Sequence, residues 1–120
     1  MPEIHDTESS SHERIYNKLV RDRIPEIIQS QGEAPVTRIL SDGEYLACLN
    51  RKLREETEEY LNDNNIEELC DVLEVISALY AALGYSAQDT EQIRATKAEK
   101  NGAFSNRIFL EKVITESGRR

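Results

Sequence analysis

Residues 52–74, KLREETEEYLNDNNIEELCDVLE, constrain this chain more than any other stretch. They hold two carboxylate pairs at one-turn helical spacing, Glu56/Glu59 and Glu68/Asp71, on either side of the polar turn Asn62-Asp63-Asn64-Asn65. The pairs sit symmetrically about that turn. If it closes two antiparallel helices into a hairpin, Glu59 stands level with Glu68 and Glu56 with Asp71. Four carboxylates then converge on one small volume, where like charges repel unless a cation lies among them. The spacing therefore predicts a Mg²⁺ site, with Mn²⁺ as a substitute. A single unbroken helix through 45–83 would put Glu59 and Glu68 on opposite sides, but the Asn/Asp turn argues against it.

Flanking signals predict where the helices start and stop. Ser41-Asp42-Gly43-Glu44 matches a capping box, so a helix should begin there and run to about Leu61. Leu46, Leu49, Leu53 and Tyr60 form its apolar stripe, and Glu56 takes the slot between Leu53 and Tyr60 where another apolar residue belongs. A carboxylate there loses hydration unless something positive meets it. The next helix runs from Ile66 to Leu83, with Leu69, Val72, Leu73, Ile76, Leu79, Tyr80 and Leu83 as a wide apolar face and Gly84 just past its end. Ser86-Ala87-Gln88-Asp89 can cap a third helix to about Asn101, which should cover one side of the hairpin.

Upstream, Asp22 can cap a short helix holding Pro25 in its first turn, ended by Gly32. Two β-branched stretches, 35–40 and 107–114, read as short extended segments. The second is either a strand paired with the first or a final short helix. Residues 1–13 are polar and aperiodic and predict a mobile tail in which His5 and His12 are bystanders. The remainder, 14–116, predicts one all-α domain: an antiparallel helix hairpin in a small bundle. Two amphipathic helices alone leave apolar surface uncovered, which points to a homodimer or homotetramer.

Charge narrows the function. The chain carries −8 overall, and residues 44–74 hold ten acidic against three basic side chains. Of fifteen basic residues, four lie in 14–23 and seven in 94–120. Duplex nucleic acid needs a continuous basic face, so it is a poor partner. The pattern suits a metal complexed with a small polyanion, the basic flanks facing phosphate oxygens. Lys18, Arg21 and Arg23 either reach phosphate or form a solvated basic loop. Glu55 and Glu58 turn away from the stripe, with Glu55 near enough to join an outer shell. No signal peptide or membrane span is legible, and Cys48 and Cys70 read as free thiols of a cytoplasmic protein.

The runs EETEE and EELCD resemble the E-E-x-x-E … E-x-x-D signature of the all-α nucleotide pyrophosphohydrolases, the MazG-like and phosphoribosyl-ATP pyrophosphohydrolase-like group. YNKLVRDRIPEII and KAEKNGAFSNRIFLEK are similar to segments of the phosphoribosyl-ATP pyrophosphohydrolase-like branch. The resemblance implies that Glu56, Glu59, Glu68 and Asp71 bind Mg²⁺, that Glu56, Glu59 and Glu55 serve catalysis, and that Lys18, Arg21, Lys97 and Lys100 hold a triphosphate. The implied reaction cleaves a nucleoside triphosphate between the α and β phosphorus atoms, giving a monophosphate and pyrophosphate in nucleotide-pool house-cleaning. The rival within this chemistry is phosphoribosyl-ATP hydrolysis in histidine biosynthesis. The rival outside it is a non-enzymatic helical interaction module whose carboxylates are a solvated face.

Overall fold

The structure is a computed structural model, and it describes residues 12–117. The described chain is all-helical, with α1 (Ile24–Ser30), α2 (Asp42–Asp63), α3 (Ile66–Ala82) and α4 (Ala87–Asn101) and no strand. None of these helices is long and apolar enough to cross a membrane. Most of the expected tail, His5 included, lies outside the described residues, while His12 is exposed.

Local chemistry sets the helix ends. The Ser41 hydroxyl accepts from the Glu44 N–H, and the Glu44 carboxylate accepts from the Ser41 N–H at 3.1 Å, completing the capping box at the start of α2. Arg38 then donates twice to Glu44, at 3.2 and 3.0 Å. Together Arg38 and Ser41 hold the Glu44 carboxyl down at about 2. α2 ends at Asn64, in the left-handed region at φ 53°, where short polar side chains are tolerated. Asn65 follows at once as the cap of α3, its Oδ1 accepting from the Glu68 N–H at 2.9 Å. α3 closes in a Schellman arrangement. Tyr85 N–H donates to the Tyr80 carbonyl and Gly84 N–H to that of Ala81, with Gly84 at φ 90°.

The expected cap of α1 is not formed. Arg23, not Asp22, is the N-cap, and no side chain caps the helix. With Asp22 at the cap, Pro25 would stand at the third helical position, where its missing N–H removes one of the two amides a cap side chain takes.

α2 and α3 pack on each other more extensively than any other pair of elements. Leu49 of α2 with Val75 and Leu79 of α3 form the buried core. Leu46 and Leu53, Tyr45, Ala78 and the incoming Leu19 pack against it. Val75 is absent from the apolar face expected for α3, while Leu69, Leu73, Tyr80 and Leu83 of that face are exposed. The reason is that Val75 falls between Asp71 and Glu68 on the helix circumference, at the edge of the acidic side, so the apolar periodicity does not mark it as the side that meets α2.

Two further expectations are corrected. α4 does not cover the α2–α3 pair: it meets α3 only slightly and α2 not at all. Its sequence AQDTEQIRATKAEKN carries one large apolar side chain, Ile93, so it has little to bury. The stretches 35–40 and 107–114 do not pair, and 107–114 is neither strand nor helix. Val36, Ile39, Ile108 and Phe109 all lie open to solvent, and a β-branched run needs a packed neighbour to become a strand.

Candidate metal centre

The turn residues that join the long helices also aim the carboxylates. Glu68 is the third residue of α3, held by the Asn65 cap, and Asp71 follows one turn later. Glu56 continues the inner stripe of α2 one turn beyond Leu53. Oxygen atoms of Glu56, Glu68 and Asp71 lie within 4.8 Å of one another, so three carboxylates from two helices share one small volume. The Glu56 side chain is 14% exposed, in keeping with its place in the apolar stripe. The Oε2 atom of Glu68 is buried with no hydrogen-bond partner.

Burial and mutual repulsion show in the electrostatics. Burial pushes the Glu56 carboxyl above its ordinary range. Glu59 and Asp71 add to that, while Lys52 offsets part of it. Burial also raises Glu68, helped by Glu59, Asp63 and Asp71. Glu59 and Asp71 thus make both Glu56 and Glu68 harder to ionise, which an added cation would reverse.

Two basic side chains touch this group. Arg21 Nη2 donates to Asp71 Oδ1 at 2.9 Å across 50 positions of chain, and Lys52 Nζ lies 3.6 Å from Glu56 Oε1. Arg21, expected at a phosphate, is placed beside the carboxylates instead of at a separate basic patch. Lys52 and Asp63 were not singled out by sequence. The signal for Lys52 was its position four residues before Glu56, one turn along the helix.

The remaining candidates are dispersed. Glu59 is exposed and outside the group of three, although near enough to Glu56 and Glu68 to raise both. Glu55 is half-buried on α2 and takes no part in the group. Lys18 stacks over the Tyr16 ring, 5.8 Å from its centroid. Lys97 lines a shallow groove with Gly84, Tyr85 and Ile93 at the far end of α3, and Lys100 lies exposed one turn further along α4. The Leu83 end of α3 lies roughly 18 Å along the helix from Asp71, so Lys97, beside Gly84 and Tyr85, is not brought to the carboxylates.

No protein-family model matches the chain, and no solved structure does. A protein of Mycolicibacterium smegmatis (strain ATCC 700084 / mc(2)155), described as uncharacterized, is 60% identical to it over 42 residues. That match covers 35% of this chain and 43% of the relative, so the chain spans less than half of the relative it matches.

Three carboxylates, one carrying an orphaned buried oxygen, fit a hard divalent cation. Mg²⁺ takes oxygen ligands, and one or two carboxylates with waters and substrate phosphates are its usual set.

Proposed function

We propose that the chain is a Mg²⁺-dependent nucleoside triphosphate pyrophosphohydrolase, converting a nucleoside or deoxynucleoside triphosphate and water to the monophosphate and pyrophosphate. The observation that carries the reading is the Glu56/Glu68/Asp71 group with its unpartnered Glu68 oxygen. A solvated acidic face, the alternative, would keep such an oxygen in water. The resemblance of EETEE and EELCD to the pyrophosphohydrolase signature supplies the reaction.

In this reading α2 and α3 form an antiparallel hairpin closed at Asn64 and Asn65. The contact of Leu49, early in α2, with Val75 and Leu79, late in α3, supports it. Glu56, Glu68 and Asp71 would hold the cation, and Glu59, exposed and near enough to raise both Glu56 and Glu68, is the residue we assign to take a proton from the attacking water. When bound, Mg²⁺ supplies Lewis-acid stabilisation of the phosphate oxygens. Arg21 fixes the Asp71 carboxylate and offers its remaining guanidinium donors to phosphate. Lys52 balances Glu56 and steadies its orientation.

Product analysis of the 120-residue chain with a nucleotide panel and MgCl₂ tests this. The panel includes ordinary and damaged triphosphates and phosphoribosyl-ATP. The expected products are a monophosphate and pyrophosphate in equal amounts. Release of inorganic phosphate alone, or no turnover of any member, overturns the reading.

A further inference from the structure

Arg21 holds its carboxylate differently from the other arginines that pair with an acid. Among the described residues, Arg14 with Glu33, Arg23 with Glu26, Arg38 with Glu44 and Arg94 with Glu91 each reach both carboxylate oxygens. That two-oxygen grip is the common one for a guanidinium. Arg21 takes a single oxygen: its Nη2 donates to Asp71 Oδ1 at 2.9 Å, and Oδ2 accepts nothing from it.

The chain fixes the arm that delivers this side chain. Asn17 turns the backbone in the left-handed region at φ 46°, and Leu19 packs against the Leu49, Val75 and Leu79 core. The Arg21 carbonyl then accepts from the Ile24 N–H at 3.1 Å at the entrance to α1. These anchors on either side set the position from which Arg21 reaches Asp71.

Glu56 is treated in a similar way, with Lys52 Nζ 3.6 Å from its Oε1. Glu68 has no ion pair among the described residues, and its Oε2 is buried without a partner. Two of the three carboxylates therefore each have an oxygen beside a positive side chain. A cation gripping both oxygens of Asp71 would share Oδ1 with a guanidinium, and like charges repel. The two common hard cations feel this unequally. Ca²⁺ gathers about six to eight oxygens and often takes both from one carboxylate, whereas Mg²⁺ keeps several waters and needs only one or two carboxylates.

We infer, resting on the cation site proposed above, that Arg21 is a positioning residue that makes this group select Mg²⁺ against Ca²⁺ by holding Asp71 to one available oxygen. The charge of Arg21 acts nearly alike on two ions of equal charge, so it drops out of their affinity ratio. What the ratio retains is the number of oxygens the group can offer.

Mn²⁺ bound to the 120-residue chain without nucleotide, followed by electron paramagnetic resonance and displaced with MgCl₂ or with CaCl₂, tests this. The wild type is expected to prefer Mg²⁺. Arg21→Met is expected to move the ratio about tenfold toward Ca²⁺, the lower end of what the partner of a metal ligand contributes. Arg21→Lys keeps a charged donor and is expected to recover most of the preference. Lys97→Met, remote from the carboxylates, should stay within about twofold of the wild type.

A ratio unmoved by Arg21→Met refutes the role of Arg21 and leaves the cation site standing. A wild type that prefers Ca²⁺ refutes it too, as does Arg21→Lys or Lys97→Met shifted as far as Arg21→Met. A wild type that binds no Mn²⁺ removes the cation site and the role of Arg21 together. The expected ratios without turnover of any nucleotide overturn the hydrolase reading alone. The Arg21–Asp71 pair is half-exposed, so its loss should leave the fold intact. Should Arg21→Met nevertheless lose helicity by circular dichroism, Arg21→Ala decides by the same ratio.

Discussion

α2 and α4 start in the same way and end up in different situations. Each begins at a serine whose hydroxyl accepts from the third helical amide while an acidic side chain at that position reaches back: Ser41 with Glu44, Ser86 with Asp89. The two caps are alike, yet α2 packs along α3 and α4 hardly touches anything. What separates them is the body of the helix. α2 carries Leu46, Leu49 and Leu53 on one side, whereas α4 has Ile93 and alanines. A cap fixes where a helix starts, and only an apolar stripe fixes what it lies against.

The widest gap between the two regions should appear in catalysis. Glu56→Gln or Asp71→Asn is expected to lower pyrophosphate release by about 10²–10³-fold, with helicity unchanged by circular dichroism. Glu99→Gln on α4 should change it less than about twofold, in line with ordinary surface substitutions. Equal losses in both would break the comparison.

Stability comes next. Leu49→Ala removes the most buried side chain of the core and should cost about 2–5 kcal/mol in urea unfolding. Ile93→Ala on α4 is exposed and should cost no more than about 0.5 kcal/mol. A smaller effect is expected at the caps. Ser41→Ala should cost about 1 kcal/mol of global stability. Ser86→Ala should instead speed amide exchange within the first turn of α4 and leave the urea midpoint nearly unmoved, because little depends on that helix.

The smallest signal is in pH. Glu56 and Glu68 have folded-state values raised above the ordinary 4.5. Their contribution to folding is full below that value and is lost as pH rises through the raised one. Glu44 has the opposite sign. Held at about 2, it contributes above 4.5 and loses that contribution as pH falls toward 2. In EDTA, Glu68→Gln should therefore melt above the wild type at pH 8 and approach it at pH 4 in differential scanning calorimetry. Added Mg²⁺ should raise the wild-type Tm at pH 8 and leave the variant nearly unmoved.

Much of this was legible in the chain itself, for reasons that differ by residue. The capping boxes, Gly84 and the Asn turn act through neighbours three or four positions away, so local sequence contains all their partners. Glu56 was legible because a carboxylate interrupting an apolar stripe contradicts its surroundings. Val75 was missed because it falls between Asp71 and Glu68 on the helix circumference, and a helix cannot report by itself which side meets its neighbour. The Arg21–Asp71 pair joins residues 50 positions apart, and no local pattern specifies it. Stretches 35–40 and 107–114 have strand-like side chains without a strand partner, so their composition promised more than their position delivered.

The link between the long helices consists of two residues, Asn64 and Asn65. Each residue of an α-helix advances the chain by about 100°. The asparagines, left-handed at Asn64 and extended at Asn65, set the register at which α3 leaves the turn, and each helical residue beyond them rotates the side chains by that fixed step. One extra uncharged residue between the asparagines would leave helix content and net charge unchanged while moving Glu68 and Asp71 away from their register with Glu56. The chemistry of the group is thus encoded in a spacing as much as in its acidic side chains.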